Sequence, residues 1–415
     1  MDRTFFIGNR QELYALAPDD SLILLFAGKA PRHSADEYYT YYADRSFVYF
    51  TGLDSHSAGF VFAARKSAGT TKEYLFLLPP DAHAERWTGT RVKPDEARSI
   101  SGIENIEYLA SCPAFIEREL SSGRVKHVCL DLFRLNSEEP DTPAQKEAKR
   151  IRDLWPAADI CDILPAIRRV RLIKKPCEIE AMRRSCEITR AGILAMMQAS
   201  RPGMYEYEYK AEYDKALTSR GCLEPGFPSI IAAGKNNFCI HYYDYTGRAQ
   251  DGDMILNDVS ARYDGVMNDV SRGWPCNGCF TEKQKLLYNC AYETSEYMFS
   301  IIKPGMKMSA VDETIHDYCG QKLVDIGLLD KKENNRRYMW HNGAHHVGWD
   351  VHDVVETPDV IAPCMVFCVD VGIYVEEWGI GFRLEDNCLV TETGCECLTR
   401  SIPRSIEEIE QAMRK

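Results

Sequence analysis

Two apolar runs, Met365 to Val375 and Ile380 to Val390, are separated by Glu376-Glu-Trp-Gly379, and each carries an acid in its middle. A four-residue loop there makes an antiparallel hairpin in which Asp370 stands directly opposite Glu385. Flanked by Phe367, Val369, Val371, Leu384 and Leu389, both acids fall in strands expected to be buried. A buried carboxylate pair is costly unless it binds a cation or takes up a proton. Arg383 offers a structural ion pair instead, but it neutralises one acid only.

A second hairpin supplies two more acids. Asp264-Gly265 lies between β-type runs in Met254 to Arg272 and is a strong two-residue turn signal. With that turn Tyr263 pairs with Val266, so Asp269 faces Ser260 and Asp258 sits diagonally across on the same face. Diagonal neighbours lie roughly 7–8 Å apart, close enough to converge on metals roughly 3.5–4 Å from each other. Alone, such a pair is more commonly a solvated strand face. The run His341-Asn-Gly-Ala-His345-His346-Val-Gly-Trp-Asp-Val-His352 changes that, because it holds four of the ten histidines of the chain. Histidines at that density point to metal or acid–base chemistry. Four carboxylates and one imidazole neutralise two divalent ions, and an oxygen-rich set favours manganese, with zinc or cobalt left open by the imidazole.

The rest of the chain sets the context. At 415 residues, with 45% hydrophobic and 27% charged residues, it is expected to form two globular domains. Residues 1–165 alternate strands (Ser21 to Ala27, Phe47 to Phe50, Gly59 to Ala63, Tyr74 to Leu78, His127 to Leu130) with helical segments (Pro94 to Ile100, Pro113 to Leu120, Pro140 to Leu154), an α/β pattern. Residues 166–415 open with an amphipathic helix over 176–199, Pro176 occupying its first turn. Helices over 206–219, 282–302 and 309–326, the strand-rich hairpins and a closing helix over 406–414 follow. The net charge of -12 would repel a phosphate backbone, whose binding normally needs a basic stripe, so nucleic acid is not an expected partner. No apolar stretch near the N-terminus is long enough for a membrane span, and residues 1–20 lack the features of a signal peptide, which predicts a cytoplasmic protein. Sixteen cysteines then read as reduced thiols rather than a disulfide framework. Cys276-Asn-Gly-Cys279 is read as a coincidental C-x-x-C.

Taken together these residues resemble the pita-bread metallopeptidases, the aminopeptidase P and prolidase family, and most closely its Xaa-Pro aminopeptidases. The likeness covers almost the whole chain and includes Asp44-Arg-Ser-Phe-Val-Tyr-Phe-Thr-Gly52 and Arg86-Trp87-Thr-Gly89 in the first half. It implies a creatinase/prolidase-type α/β N-terminal domain and an α+β pita-bread catalytic domain with a curved antiparallel sheet. It further implies two divalent metals, most readily Mn2+, on Asp258, Asp269, His345, Asp370 and Glu385. The non-ligand histidines of the family fall on His241, His341 and His352. By the same resemblance a metal-bridging hydroxide would attack the bond before proline, with Asp370 orienting the water and His241 and His352 stabilising the oxyanion. His341 would position the substrate or serve the leaving amine. Arg383 and Tyr374 would hold the acids or the substrate, and Trp87 would either reach a neighbouring subunit in a homodimer or homotetramer or pack as core. Two departures stand out: the penultimate ligand is Asp370 where the family has glutamate, and Ser260 replaces a glycine.

Three functions fit this reading: an Xaa-Pro aminopeptidase acting on proline-containing peptides, a prolidase cutting Xaa-Pro dipeptides, and a metal-poor creatinase-like hydrolase or binding protein.

Overall fold

A computed structural model describes Met1–Arg414, and these residues divide into two compact units, Met1–Leu172 and Ile173 onward. The helix Leu164–Leu172, with Pro165 in its first turn, goes with the first unit. Among the described residues no helix is long and apolar enough to cross a membrane.

The first unit is built on a six-stranded mixed sheet. Its order is Asn105–Tyr108, Thr70–Leu77, Val61–Ser67, Ser21–Phe26, His127–Leu130, Asp159–Asp162. Alternate residues of these strands, among them Leu22, Leu24, Val61, Ala63, Phe76, Val128 and Leu130, pack on Phe115, Ile116 and Ile151 of the helices Cys112–Ser121 and Pro143–Leu154. Phe47 to Phe50, expected as a strand, lies instead in the helix Arg45–Thr51. The caps decide it: the Asp44 carboxylate accepts from Phe47 N at 2.9 Å, and Gly52 closes the helix at φ 75°. Residues 46–51 are buried all round, so the apolar run reports burial rather than strand periodicity.

The thiol expectation also needs amendment. Cys129 and Cys161 sit side by side on neighbouring parallel strands and form a disulfide, while the other fourteen cysteines are free. One bridge is present where none was expected; a disulfide framework is not.

In the second unit the helix Pro176–Ala199 matches its sequence limits, its first turn closed by Glu178, which accepts from Lys175 N at 2.8 Å. It buries Met182, Cys186, Ile193, Met196 and Met197. Two three-stranded antiparallel sheets follow. One orders Val270–Pro275, Met254–Val259, Ile230–Ala233; the other orders Val366–Val375, Ile380–Val390, Cys395–Cys397. Both hairpin registers are those of the sequence reading. Tyr263 pairs with Val266 and the ladder resumes at Val259 and Val270, while Asp370 pairs with Glu385. Asp264 (φ 49°) and Gly265 (φ 91°) both take the left-handed backbone that a two-residue type I′ turn requires.

Side-chain amides, rather than one continuous ladder, join the two sheets. Asn387 accepts from Asp269 N and donates to Asp269 O, both at 2.9 Å, in the manner of a strand residue. Asn237 donates to Met254 O at 2.8 Å and to Gly381 O at 2.9 Å. These amides fix the acids of one hairpin against those of the other.

Candidate metal centre

Period-two alternation places Asp258 on one sheet and Asp370 and Glu385 on the other, all turned to the same side; Asp269 lies just before Val270–Pro275. A cavity of about 600 Å³ receives them. Its lining includes His241, Asp258, Asp269, His341, His345, His352, Asp370, Arg383 and Glu385, with Phe227, Pro228, Ile240 and Val351 as apolar wall. Of the residues singled out in the sequence, Tyr374 stands behind the lining. Trp87 belongs to the other unit, where it is 80% exposed on the helix Ala82–Thr88 and is not core.

Ligand atoms gather in two trios. Asp258, Asp269 and Glu385 offer oxygens that all lie within 4.8 Å of one another, and so do the donor atoms of His345, Cys368 and Glu385. Glu385 belongs to both. His345 Nε2 lies 3.5 Å from Asp269 Oδ2 and 3.7 Å from Glu385 Oε1, which ties the trios together. Asp370 is in neither; its Oδ2 is 3.2 Å from His341 Nδ1. Sequence reasoning missed Cys368 because it looked for acids and histidines. The signal was there, since a residue two places before Asp370 on a strand shares its face.

The charge balance is unfavourable without cations. Arg383 is the buried guanidinium of the site and is already committed, to Asp258 Oδ2 at 3.1 Å, the Tyr374 hydroxyl at 3.0 Å and Ser271 Oγ at 3.3 Å. One carboxylate oxygen each of Asp258, Asp269 and Asp370 is buried with no hydrogen-bond partner. Burial, reinforced by the charge of Glu385, pushes Asp269 and Asp370 well above the ordinary carboxylate range. Asp258 is raised by burial as well, against the pull of Arg383. Glu385 shifts the other way: burial pushes it up, but His345, Ser271 and Arg383 outweigh that. Buried carboxylate oxygens without partners, around an arginine already committed, fit a cation site.

A hydrogen-bonded chain backs the acids. Arg383 donates to the Tyr374 hydroxyl, which therefore gives its own proton to His341 Nε2 at 3.0 Å. That leaves Nδ1–H of His341 to point at Asn342 O (3.0 Å) and Asp370. Burial first, then Arg383, pulls His341 down to about 4, so it is neutral at physiological pH. Gly372 makes room for the ring: a Cβ there would come within 2.2 Å of His341 Nε2. His345 and His352 stack edge to face with centroids 4.3 Å apart.

Residues 180–392 match the model of metallopeptidase family M24, and residues 6–128 match that of the aminopeptidase P N-terminal domain. The chain belongs to metallopeptidase family M24. It is 30% identical to the Xaa-Pro aminopeptidase of Escherichia coli, with 100% of this chain and 98% of that protein covered. Its fold is similar to that of a Bacillus anthracis protein described as a candidate aminopeptidase P (TM-score 0.97, 35% identity, 100% and 99% covered). It is also similar to zinc-substituted E. coli aminopeptidase P in complex with product (TM-score 0.90, 28% identity, 100% and 99% covered). The second unit is thus an M24 pita-bread domain preceded by an aminopeptidase P-type N-terminal domain, and the chain is a metal-dependent peptidase. In this M24 domain the pita-bread sheet takes the form of two amide-linked antiparallel sheets, with the acids at their junction.

Proposed function

We propose that this chain is an Xaa-Pro aminopeptidase that removes the N-terminal residue from peptides with proline in second position. The observation that carries the proposal is the pair of ligand trios sharing Glu385. Asp258, Asp269, His345, Asp370 and Glu385 would hold two divalent ions, manganese first among them because most of the donors are carboxylate oxygens. When bound, the ions supply a water acidified toward neutral pH and a Lewis acid for the scissile carbonyl.

The residues of the chain do the rest. Asp370, with its free Oδ1 facing the cavity, orients and deprotonates the attacking water. His352 is held below its usual value by burial and by the nearby His345, so it offers a neutral N–H donor to the developing oxyanion, and His241 lines the same wall. Neutral His341 acts through position, carried by Tyr374 and Arg383. The wall of Phe227, Pro228, Ile240 and Val351 gives the proline ring an apolar seat. The exposed Trp87 fits a subunit contact, in keeping with a homodimer or homotetramer, and we place the enzyme in the cytoplasm.

The test is turnover of Xaa-Pro-Xaa tripeptides by Mn-loaded protein, with Xaa-Pro dipeptides and chelator-treated protein as comparisons. Release of the first residue of the tripeptide, dependent on added metal, is expected. Cleavage of dipeptides alone would make the chain a prolidase instead. A second expectation follows from the His341 seat. Gly372→Ala should lower kcat/KM about 100-fold, the cost of misplacing a positioning group by about 1 Å, while overpacking against the His341 and Tyr374 rings lowers stability by about 1–3 kcal/mol, so the rate is compared at a temperature where both proteins are folded. An unchanged rate would remove His341 from the mechanism.

A further inference from the structure

We propose that Cys368 is a metal ligand, so that the centre presents one hard oxygen site and one thiophilic site rather than two equivalent ones. The inference rests on the dinuclear reading above and concerns which atoms complete it. Cys368 and Asp370 occupy alternate positions of the strand Val366–Val375 and share a face, and Asp370 and Glu385 are directly paired. The thiol therefore points where the acids point. Its Sγ lies within 4.8 Å of donor atoms of both His345 and Glu385, so side-chain shifts of about 1 Å bring the three to the ligand–ligand spacing of about 3.5 Å that tetrahedral zinc–ligand lengths of about 2.0–2.3 Å set.

The backbone holds this arrangement. Cys368 N donates to His345 O at 2.9 Å, and His345 N donates to Cys368 Sγ at 3.2 Å, so strand and histidine loop are clamped together with imidazole and thiol side by side. Asp370 Oδ2 lies 3.2 Å from His341 and outside this trio, so sulfur joins the acids of the centre as the third donor beside His345 and Glu385. The second observation pointing to a ligand lies beside the other two members of this trio. Asp269 Oδ1 (residue 3% exposed) and Asp370 Oδ1 (8% exposed) are buried without partners and face the cavity that His345 and Glu385 line.

Chemically the trios differ. Asp258, Asp269 and Glu385 are all oxygen and suit manganese or magnesium, whereas imidazole, thiolate and carboxylate together suit zinc, cobalt or cadmium. On binding, the Cys368 S–H bond breaks, an S–metal bond forms and the proton passes to solvent, with no change of oxidation state.

The experiment uses the full chain, stripped with chelator and titrated with Co2+ and with Cd2+. Calorimetry counts the ions, and near-ultraviolet absorption reports thiolate-to-metal charge transfer. The unsubstituted protein is expected to bind two ions with a charge-transfer band that saturates at one thiolate per chain. Cys368→Ser should lose the band, still bind two ions, and bind Cd2+ at least about 10-fold more weakly relative to Mn2+. Should Cys368→Ser fail to fold, X-ray absorption of the zinc-loaded unsubstituted protein decides, through a sulfur neighbour at about 2.3 Å. Two ions bound with no band and no sulfur neighbour, or a band unchanged in Cys368→Ser, overturns the thiolate and leaves the dinuclear centre standing. No bound ion overturns both.

Discussion

Asp269→Asn should abolish metal-dependent turnover and, in the same protein, raise the stability of the metal-free form. On the activity side, Asp269 contributes to the all-oxygen trio and its backbone is locked by Asn387, so no neighbouring group can move into its place. An amide at this position removes the negative charge that a hard cation requires. We expect kcat/KM to fall by about 1,000-fold or more, a loss of about 4 kcal/mol of transition-state stabilisation. Protein without metal is the opposite case. Asp269 is 3% exposed, has an orphan oxygen and sits among Asp258, Asp370 and Glu385. An amide carries neither the burial penalty nor the repulsion from Glu385 and Asp258 that the ionised acid carries, so the metal-free form should gain about 1 kcal/mol or more, the worth of one pKa unit. Thermal unfolding in chelator, paired with the rate in excess manganese, checks both signs. A variant that melts lower than the parent in chelator would mean that Asp269 is a structural acid.

The same electrostatics fixes a pH dependence for the metal-free protein. Burial and the Glu385 charge raise Asp269 and Asp370 above their unfolded values, so the folded state retains protons that the unfolded chain releases. Below the unfolded carboxylate pKa of about 3.9 both states are protonated and the penalty is absent. As pH rises from there through the raised folded values, stability is lost. Bound cations require the ionised acids and should reverse that slope. Unfolding followed against pH with chelator and with manganese should give curves that diverge toward neutrality; parallel curves would count against a cation among these acids.

Much of this centre is legible in the sequence alone. The Asp264-Gly265 turn and period-two alternation are local rules, and they were enough to set Asp258 against Asp269 and Asp370 against Glu385. What the sequence concealed depends on partners far along the chain. Asn387 reads as an ordinary polar residue until it is seen taking both backbone groups of Asp269. The helix Arg3–Leu16 buries Arg10 on its apolar face, which blurs the hydrophobic period, because Glu73, sixty-three residues away, accepts its Nε at 2.8 Å. Phe47 to Phe50 failed for another reason: a short, fully buried apolar run carries no period, and only the flanking Asp44 and Gly52 announce the helix. Cys368 was within reach of the alternation rule, since it stands two places before Asp370 on the same strand, and was passed over because only acids and histidines were read as ligands.

The neighbouring acid tests the whole electrostatic argument, because Asp386 follows Glu385 on the same strand and turns to the opposite face. There it meets two fixed cations: Arg272 Nη2 donates to Oδ1 and Arg404 Nε to Oδ2, each at 2.7 Å, and Thr399 adds a hydroxyl at 2.6 Å. All three charges are buried. Burial pushes Asp386 up, but the two guanidinium groups outweigh it and leave the carboxyl below its usual range. Its contribution is therefore fully present above about pH 3.9 and is lost as pH falls through the depressed folded value, a window that lies on the acid side of the one set by Asp269. Asp386→Ala leaves Arg272 and Arg404 without their shared carboxylate, and should cost about 3–5 kcal/mol in denaturant unfolding, with or without metal. Arg272 also donates to Glu385 O at 2.7 Å, so the loss should reach the centre and weaken metal binding about 10–100-fold. A change in stability under about 0.5 kcal/mol, the size of an ordinary surface substitution, would show that buried guanidinium pairs do not set the sign of these carboxyl shifts. The assignment of Asp269 and Asp370 to cations, which depends on their lack of such a pair, would then lose its basis.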